Sequence, residues 1–146
     1  MTTVCFRVDT LPIPQPRGRP CIVGDGSARV IVDRKHKVGQ FKSDVRSACY
    51  LAFKGPPLTG PLRFDLDVIL PRPKRLIWKT RPMPRQWHDG PKDCDNLLKS
   101  TLDSLAGLLF VNDGQCCWTP VRKFIAAGDE SPHVLITVAT LDDVCP

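Results

Sequence analysis

Four acidic residues and a lysine lie between residues 91 and 115, and side chains of these types could bind a metal ion or take part in catalysis. They are Asp93, Asp95, Lys99, Asp103 and Asp113. Carboxylates held close together raise one another's pKa, so a cluster is costly unless a cation neutralises it. Oxygen ligands without cysteine or histidine select Mg²⁺ or Mn²⁺ over zinc. The stretch therefore suggests a divalent-metal site that could polarise a phosphoryl oxygen and orient an attacking water.

Helical periodicity would position most of these side chains. Leucines recur at three-to-four spacing after Asp95, and Gly107 supplies a stop, which predicts a helix over about residues 96–106. Either Asp95 or Asn96 is a natural N-cap. The chain just before the helix is then extended, which would point Asp93 and Asp95 to the same side.

Two interpretations of the acids stay open on the pattern alone. Asp95, Lys99 and Asp103 lie four apart in turn, so they share one stripe of the helix. After the helix, LLFV is predicted to form a short buried strand that returns Asp113 to Asp93 and Asp95 as a metal site. In that site Lys99 would face the transition-state phosphate or orient the water. The alternative is an N-cap followed by two ion pairs along the helix.

The segment DCDNLLKSTLDSLAGLLFVNDGQ resembles the signature of the RusA-type Holliday junction resolvases. That signature is D-x-D-N-x-x-K-x-x-x-D-x-L, a gap, then D-D-x-Q, and the Pro-rich segment with GRP at residues 18–20 is compatible with it. The resemblance implies a small α+β fold, with a mixed sheet packed with two main helices, in an intertwined homodimer. It also implies an Mg²⁺-dependent crossover junction endodeoxyribonuclease, with Mn²⁺ as a substitute ion, that nicks two strands of four-way DNA.

Matched position by position, the resemblance assigns metal binding to three aspartates and catalysis to these with one lysine: Asp93, Asp95, Asp113 and Lys99. Supporting positions are Asp103, Asn96 and Asn112. This chain departs from the family pattern twice. Asn112 replaces the first aspartate of the usual pair, and Cys21 stands where many members have a basic residue after GRP.

Composition fits a single DNA-binding domain over residues 1–146. The chain is 42% apolar with a net charge of +6, which favours a polyanionic partner such as nucleic acid. It lacks an apolar run of roughly 20 residues and a basic start before a hydrophobic stretch, so neither a membrane anchor nor an export signal is expected. Seven cysteines without a CxxC pair favour reduced thiols in the cytoplasm, which the resemblance makes that of a bacterial cell or a phage-infected host.

Basic residues are concentrated in the loops and are predicted to bind DNA. They are Arg17, Arg19, Lys35, Lys37, Arg72, Lys74, Arg75, Lys79 and Arg81. The Pro-rich loop around Arg17 is either a solvated turn or a phosphate contact. In the long segment 71–92, Trp78 and Trp87 either stack on unpaired bases or pin the loop to the core. His88 lacks a metal-binding partner at suitable spacing and is interpreted as a surface residue.

The remaining periodicity predicts six strands and one further helix. The strands are Val4–Val8, a hairpin of 21–23 and 28–32 around GDGS, 62–70, 116–125 and 133–140, and the helix is 38–53. Asp65 and Asp67 are interpreted as solvent-facing strand residues, and Asp142 and Asp143 as a solvated tail. Two other functions remain open: a non-catalytic module that binds branched DNA, and a nuclease that cuts flaps or branched DNA in general.

Overall fold

The computed structural model describes residues 1–31 and 35–142, so Val32 of the predicted hairpin and Asp143 of the tail lie outside the described residues. Its helices are α1 (Val38–Ala52) and α2 (Cys94–Leu105). Its strands are β1 (Thr3–Val8), β2 (Arg19–Ile22), β3 (Ala28–Ile31), β4 (Leu62–Leu70), β5 (Gln86–Trp87), β6 (Cys116–Trp118), β7 (Val121–Ile125) and β8 (His133–Thr140). Short 3-10 turns occupy Lys74–Leu76 and Asp113–Gln115.

The main sheet is mixed, with strand order β1-β8-β4-β7-β5 and with β6 also paired to β4. Strand β8 is antiparallel to β1 and β4, whereas β6 and β7 run parallel to β4. Strands β2 and β3 form a separate antiparallel ribbon, the predicted hairpin. With two helices packed against the sheet, the molecule has the predicted α+β fold.

Strand β4 is central because alternate side chains are buried beneath the helices. Leu62, Phe64 and Leu66 are fully buried and pack in one cluster with the apolar faces of α1 and α2. The opposite face carries ion pairs: Arg63 donates to Asp65 at 2.6 Å, and Arg122 of β7 donates to Asp67 at 2.5 Å. Asp65 and Asp67 are thus structural partners of arginines. Among the described residues, no helix is long and apolar enough to cross a bilayer.

Three local predictions are wrong for identifiable reasons. The strand predicted over 116–125 is divided into β6 and β7, and the break falls at Pro120, which has no N–H to donate. The predicted strand LLFV is mostly a turn in which Phe110 makes only isolated bridges to Leu58 and Ala106. Strand β5 was not predicted, because a strand of two residues is too short to show an alternation of apolar and polar side chains.

The long segment 71–92 is tied to the core by Arg72. Its guanidinium donates to the carbonyls of Leu76 at 2.7 Å, Pro84 at 3.0 Å and Ala126 at 3.1 Å. The prediction that Arg72 contacts DNA is therefore corrected, since Nε and Nη1 donate to backbone carbonyls and Nη2 is buried.

A second tie pairs Arg85 with Glu130 across the base of this segment. The guanidinium donates to both carboxylate oxygens, and the Ala127 N–H adds a third bond at 2.9 Å. The bond from Arg85 is the main cause that lowers the pKa of Glu130 to about 2 from its ordinary 4.5. Because the folded pKa is depressed, this stabilisation is present above pH 4.5 and is lost as the pH falls towards 2.

We expect Glu130→Gln to lower the free energy of unfolding by up to about 1 kcal/mol at pH 7, and by progressively less between pH 5 and pH 2.5. Urea unfolding of both proteins across this pH range measures the difference. Asp129→Asn is the matched control, since Asp129 is exposed and makes no ion pair within the described part of the chain. If the difference in unfolding free energy between the wild type and Glu130→Gln did not depend on pH, the stabilising ion pair between Arg85 and Glu130 would be contradicted.

Candidate active site

The N-terminus of α2 presents two exposed carboxylates. Asp93 is the N-cap, with extended backbone at φ −70° and ψ 135°, and Asp95 lies in the first helical turn. The prediction of Asp95 or Asn96 as the cap is wrong, and Asp93 and Asp95 do not alternate along an extended segment. The Asp93 side chain caps no backbone N–H and only accepts a long 3.4 Å bond from the Asn96 amide. Both acids are therefore available to a ligand.

Asp113 is also exposed, but it belongs to a different part of the fold. It begins the 3-10 turn that Asn112 and Gln115 stabilise as a capping box. Gln115 also donates to the carbonyl of Gly60 at 3.0 Å, just before β4. The next residue, Cys116, pairs with Leu62 at the start of β4.

The Asp93 side of the molecule lies towards the other end of β4. Lys123 pairs with Val68 in the register of β7 on β4, and its Nζ donates to the carbonyl of Lys92 at 2.5 Å. Lys92 immediately precedes Asp93. Leu62 and Val68 are six strand residues apart, a separation of about 20 Å.

The expected return of Asp113 to Asp93 and Asp95 within one chain is accordingly wrong. Among residues 1–31 and 35–142, no group of three or more His, Cys, Asp or Glu side chains could hold a metal ion. Two carboxylates are still enough for Mg²⁺, which is commonly bound by one or two carboxylates together with substrate phosphates. Asp93 and Asp95 fit such an ion, and Asp113 of the same chain does not join them.

Asp103 is a structural member of the acidic stretch. Its two oxygens lie 3.6 Å from Nζ of Lys99 and 3.9 Å from Nζ of Lys42, so it links α2 to α1. One of the two predicted helical ion pairs is therefore present. Asp95 makes no ion pair within the described residues, which distinguishes it from Asp103.

The Pro-rich loop after β1 is docked on the same helix. Gln15 donates its N–H to the Asn96 carbonyl at 2.8 Å, and the buried Ser100 hydroxyl donates to the Ile13 carbonyl at 2.8 Å. These contacts bring the loop that leads to Arg17 beside the N-terminus of α2. Sequence reasoning missed them, and the only signal was a serine on the apolar face of a helix.

A basic groove of about 510 Å³ opens next to this contact. We call it the lysine groove: it is lined by the Pro-rich loop and by the residues just before α1, and its cations are Lys35, Lys37 and Lys92. Lys92 ends the basic segment 71–92 but is not among the residues predicted to bind DNA. Its Nζ donates to the Pro12 carbonyl at 3.3 Å, and burial lowers its pKa. The groove therefore reaches the residue that precedes Asp93.

The other predicted basic residues lie on the surface at two places. Arg17 and Arg19 are exposed, at the entry to β2 and on it. Lys74, Arg75, Lys79 and Arg81 are exposed on the segment 71–92. Within this segment two guanidiniums lie near the Trp78 ring, with the guanidinium carbon of Arg72 5.2 Å and that of Arg81 5.6 Å from the ring centroid.

These contacts predict different stability effects for two aspartates. Asp113→Asn should change the free energy of unfolding by less than about 0.5 kcal/mol, because the carboxylate is exposed and unpaired in the described structure. Asp103→Asn should cost about 1 kcal/mol, because it leaves two lysines without their shared carboxylate. Urea unfolding at pH 7 gives both values. A larger loss for Asp113→Asn would mean that this residue is structural.

A family model, Endodeoxyribonuclease RusA, matches residues 12–139 of the chain. The search of curated proteins returned no match. The matched range begins in the Pro-rich loop and ends in β8, so it contains both helices, the lysine groove and the three aspartates. This chain belongs to the RusA endodeoxyribonuclease family.

Proposed function

We propose that the protein is a Mg²⁺-dependent endonuclease that resolves Holliday junctions by paired symmetric nicks, in DNA recombination and repair. The observation that carries this proposal is the pair of exposed aspartates, Asp93 and Asp95, beside the lysine groove within the family match. We take residues 1–146 as one RusA-like domain acting in the cytoplasm of a bacterial cell or phage-infected host.

The side chains of this site have two proposed roles, metal binding and phosphate binding. Asp93 and Asp95 would hold the divalent ion, which when bound supplies a Lewis acid and lowers the pKa of a bound water. The lysine groove and the exposed residues Arg17 and Arg19 hold the phosphate backbone. Lys99 is 59% exposed and only loosely paired with Asp103, so its ammonium can turn to a phosphate oxygen near the reacting bond.

A dimer follows from the reaction and accounts for Asp113. Two symmetric cuts need two active sites related by a two-fold axis. Within one chain, the contacts that follow Asp113 are at the Leu62 end of β4 and those that precede Asp93 are at Val68, positions about 20 Å apart along the strand. In a homodimer, Asp113 of one chain would complete the site that begins with Asp93 and Asp95 of the other.

The first test is cleavage of a synthetic four-way junction. We expect the wild type to nick it in Mg²⁺ and Asp95→Asn to be slower by about 10²-fold or more, since a lost ligand removes several kcal/mol of transition-state stabilisation. Rates are measured on end-labelled strands at one fixed salt concentration. Junction binding by the variant checks that it is folded.

Two results of this experiment would change the proposal. An absence of cleavage in every divalent ion would leave a non-catalytic module that binds branched DNA. Equal rates on junction, flap and linear duplex would remove the junction specificity and leave a general nuclease.

The second test concerns the position of Asp113. Asp95→Asn and Asp113→Asn, co-expressed with separable tags, should each be inactive alone, whereas the mixed dimer regains one intact site. Half of the dimers are mixed and each has one of two sites, so nicking should return to about a quarter of wild type. If purified mixed dimers stay inactive, Asp113 does not serve the site of the other chain.

A further inference from the structure

Trp87 occupies an edge position on the sheet and presents an open aromatic face. It lies on β5, whose one strand partner among the described residues is β7, at the edge of the main sheet. Its ring stacks on Phe124, with centroids 4.8 Å apart and planes 28° from parallel. Even so, 71% of Trp87 is exposed. One ring face is thus supported by the protein while the other faces solvent.

The other two tryptophans differ in what meets their rings. The guanidinium of Arg63 lies 3.9 Å from the ring centroid of Trp118, and two arginines, Arg72 and Arg81, lie near the ring of Trp78. Among the described residues, no cation lies over the Trp87 ring. Trp87 is therefore the most exposed of the three tryptophans, and its ring meets no cation in the described part of the chain.

The stack beneath Trp87 is held before any ligand arrives. The guanidinium carbon of Arg85 lies 5.3 Å from the centroid of the Phe124 ring, and Arg85 is itself fixed by Glu130. Arginine, phenylalanine and tryptophan thus form a column anchored at its base. A preformed aromatic surface loses little conformational entropy when it binds.

The column stands at the same end of β4 as the candidate active site. Phe124 pairs with Ile69, one residue beyond Val68. The connection from Trp87 to Asp93 is clamped by β7, because His88 donates its N–H to the Lys123 carbonyl at 3.1 Å. Six residues span at most about 20 Å, so Trp87 lies within a few nucleotides of Asp93 along a DNA strand.

We infer that Trp87 is a stacking platform for an unpaired base of the branched DNA that this enzyme cuts. The inference rests on the proposed function and names a specificity residue for it. Stacking on an aromatic ring is tolerant of sequence, because every base has a π face, and it is available only to bases freed from pairing. Trp87 therefore favours branched over continuous duplex DNA.

Equilibrium binding without divalent ions tests this role separately from catalysis. The probes are a labelled junction with two unpaired thymines at the branch and a linear duplex, measured by fluorescence anisotropy. Trp87→Ala should weaken binding to the branched probe about tenfold and binding to the duplex less than about twofold. Trp87→Phe should restore most of the difference. The salt dependence should be unchanged, because no phosphate contact is lost.

Trp118→Ala is the matched control, since Trp118 is 52% exposed but covered by Arg63. It should bind both probes like the wild type. If Trp87→Ala fails to fold, the double variant Trp78→Phe, Trp118→Phe leaves Trp87 as the single tryptophan. Its fluorescence should be quenched by the branched probe and not by the duplex.

Three outcomes would overturn the inference. These are no loss of binding by folded Trp87→Ala, an equal loss on both probes, or a change of sedimentation coefficient that makes Trp87 a contact between chains. For the single-tryptophan protein, equal quenching of the Trp87 fluorescence by both probes would also overturn the inference. Failure of the wild type to cleave would instead remove the proposed nuclease function and leave these binding results intact.

Discussion

The register of β4 against its neighbours on both edges is the constraint on which the rest of the structure depends. One edge pairs with β8, and the other pairs first with β6 and then with β7. A slip of one residue would turn buried side chains such as Phe64 outward and place Asp65 against the helices, so the register cannot drift. The distance between the two acidic parts of the molecule follows directly from this pairing.

Much of the fold could be predicted because the long elements have a clear period. The helix from Val38 was correct to within one residue at its end, and β4 and β8 were correct at both ends. The errors concern elements defined by their partners. Strand β5 exists because Trp87 pairs with Phe124, 37 residues later, and no local pattern carries that information. The same holds for Phe110, whose neighbours are set by tertiary packing.

The sequence allowed the residues of the candidate site to be predicted better than their positions relative to one another. Spacing alone placed Lys99 and Asp103 on one helical stripe, and their ion pair is present. Spacing could not reveal that Lys42 of α1 shares this carboxylate. Nor could it show that Arg72 donates hydrogen bonds to backbone carbonyls, one of them 54 residues away in the sequence. Whether an arginine or a lysine can bind DNA depends on whether its N–H groups already donate to other groups of the folded chain.

The aspartates on and beside α2 have an equal number of lysines close to them, and this affects the order in which ligands can bind. The side chains on and beside α2 include three aspartates and three lysines, whose formal charges sum to zero: Asp93, Asp95, Asp103, Lys42, Lys92 and Lys99. Asp113, near the other end of β4, is not part of this group. A neutral patch on a protein of net charge +6 does not repel a phosphate backbone at long range. In the function proposed above, DNA can therefore approach this site before a divalent ion has bound.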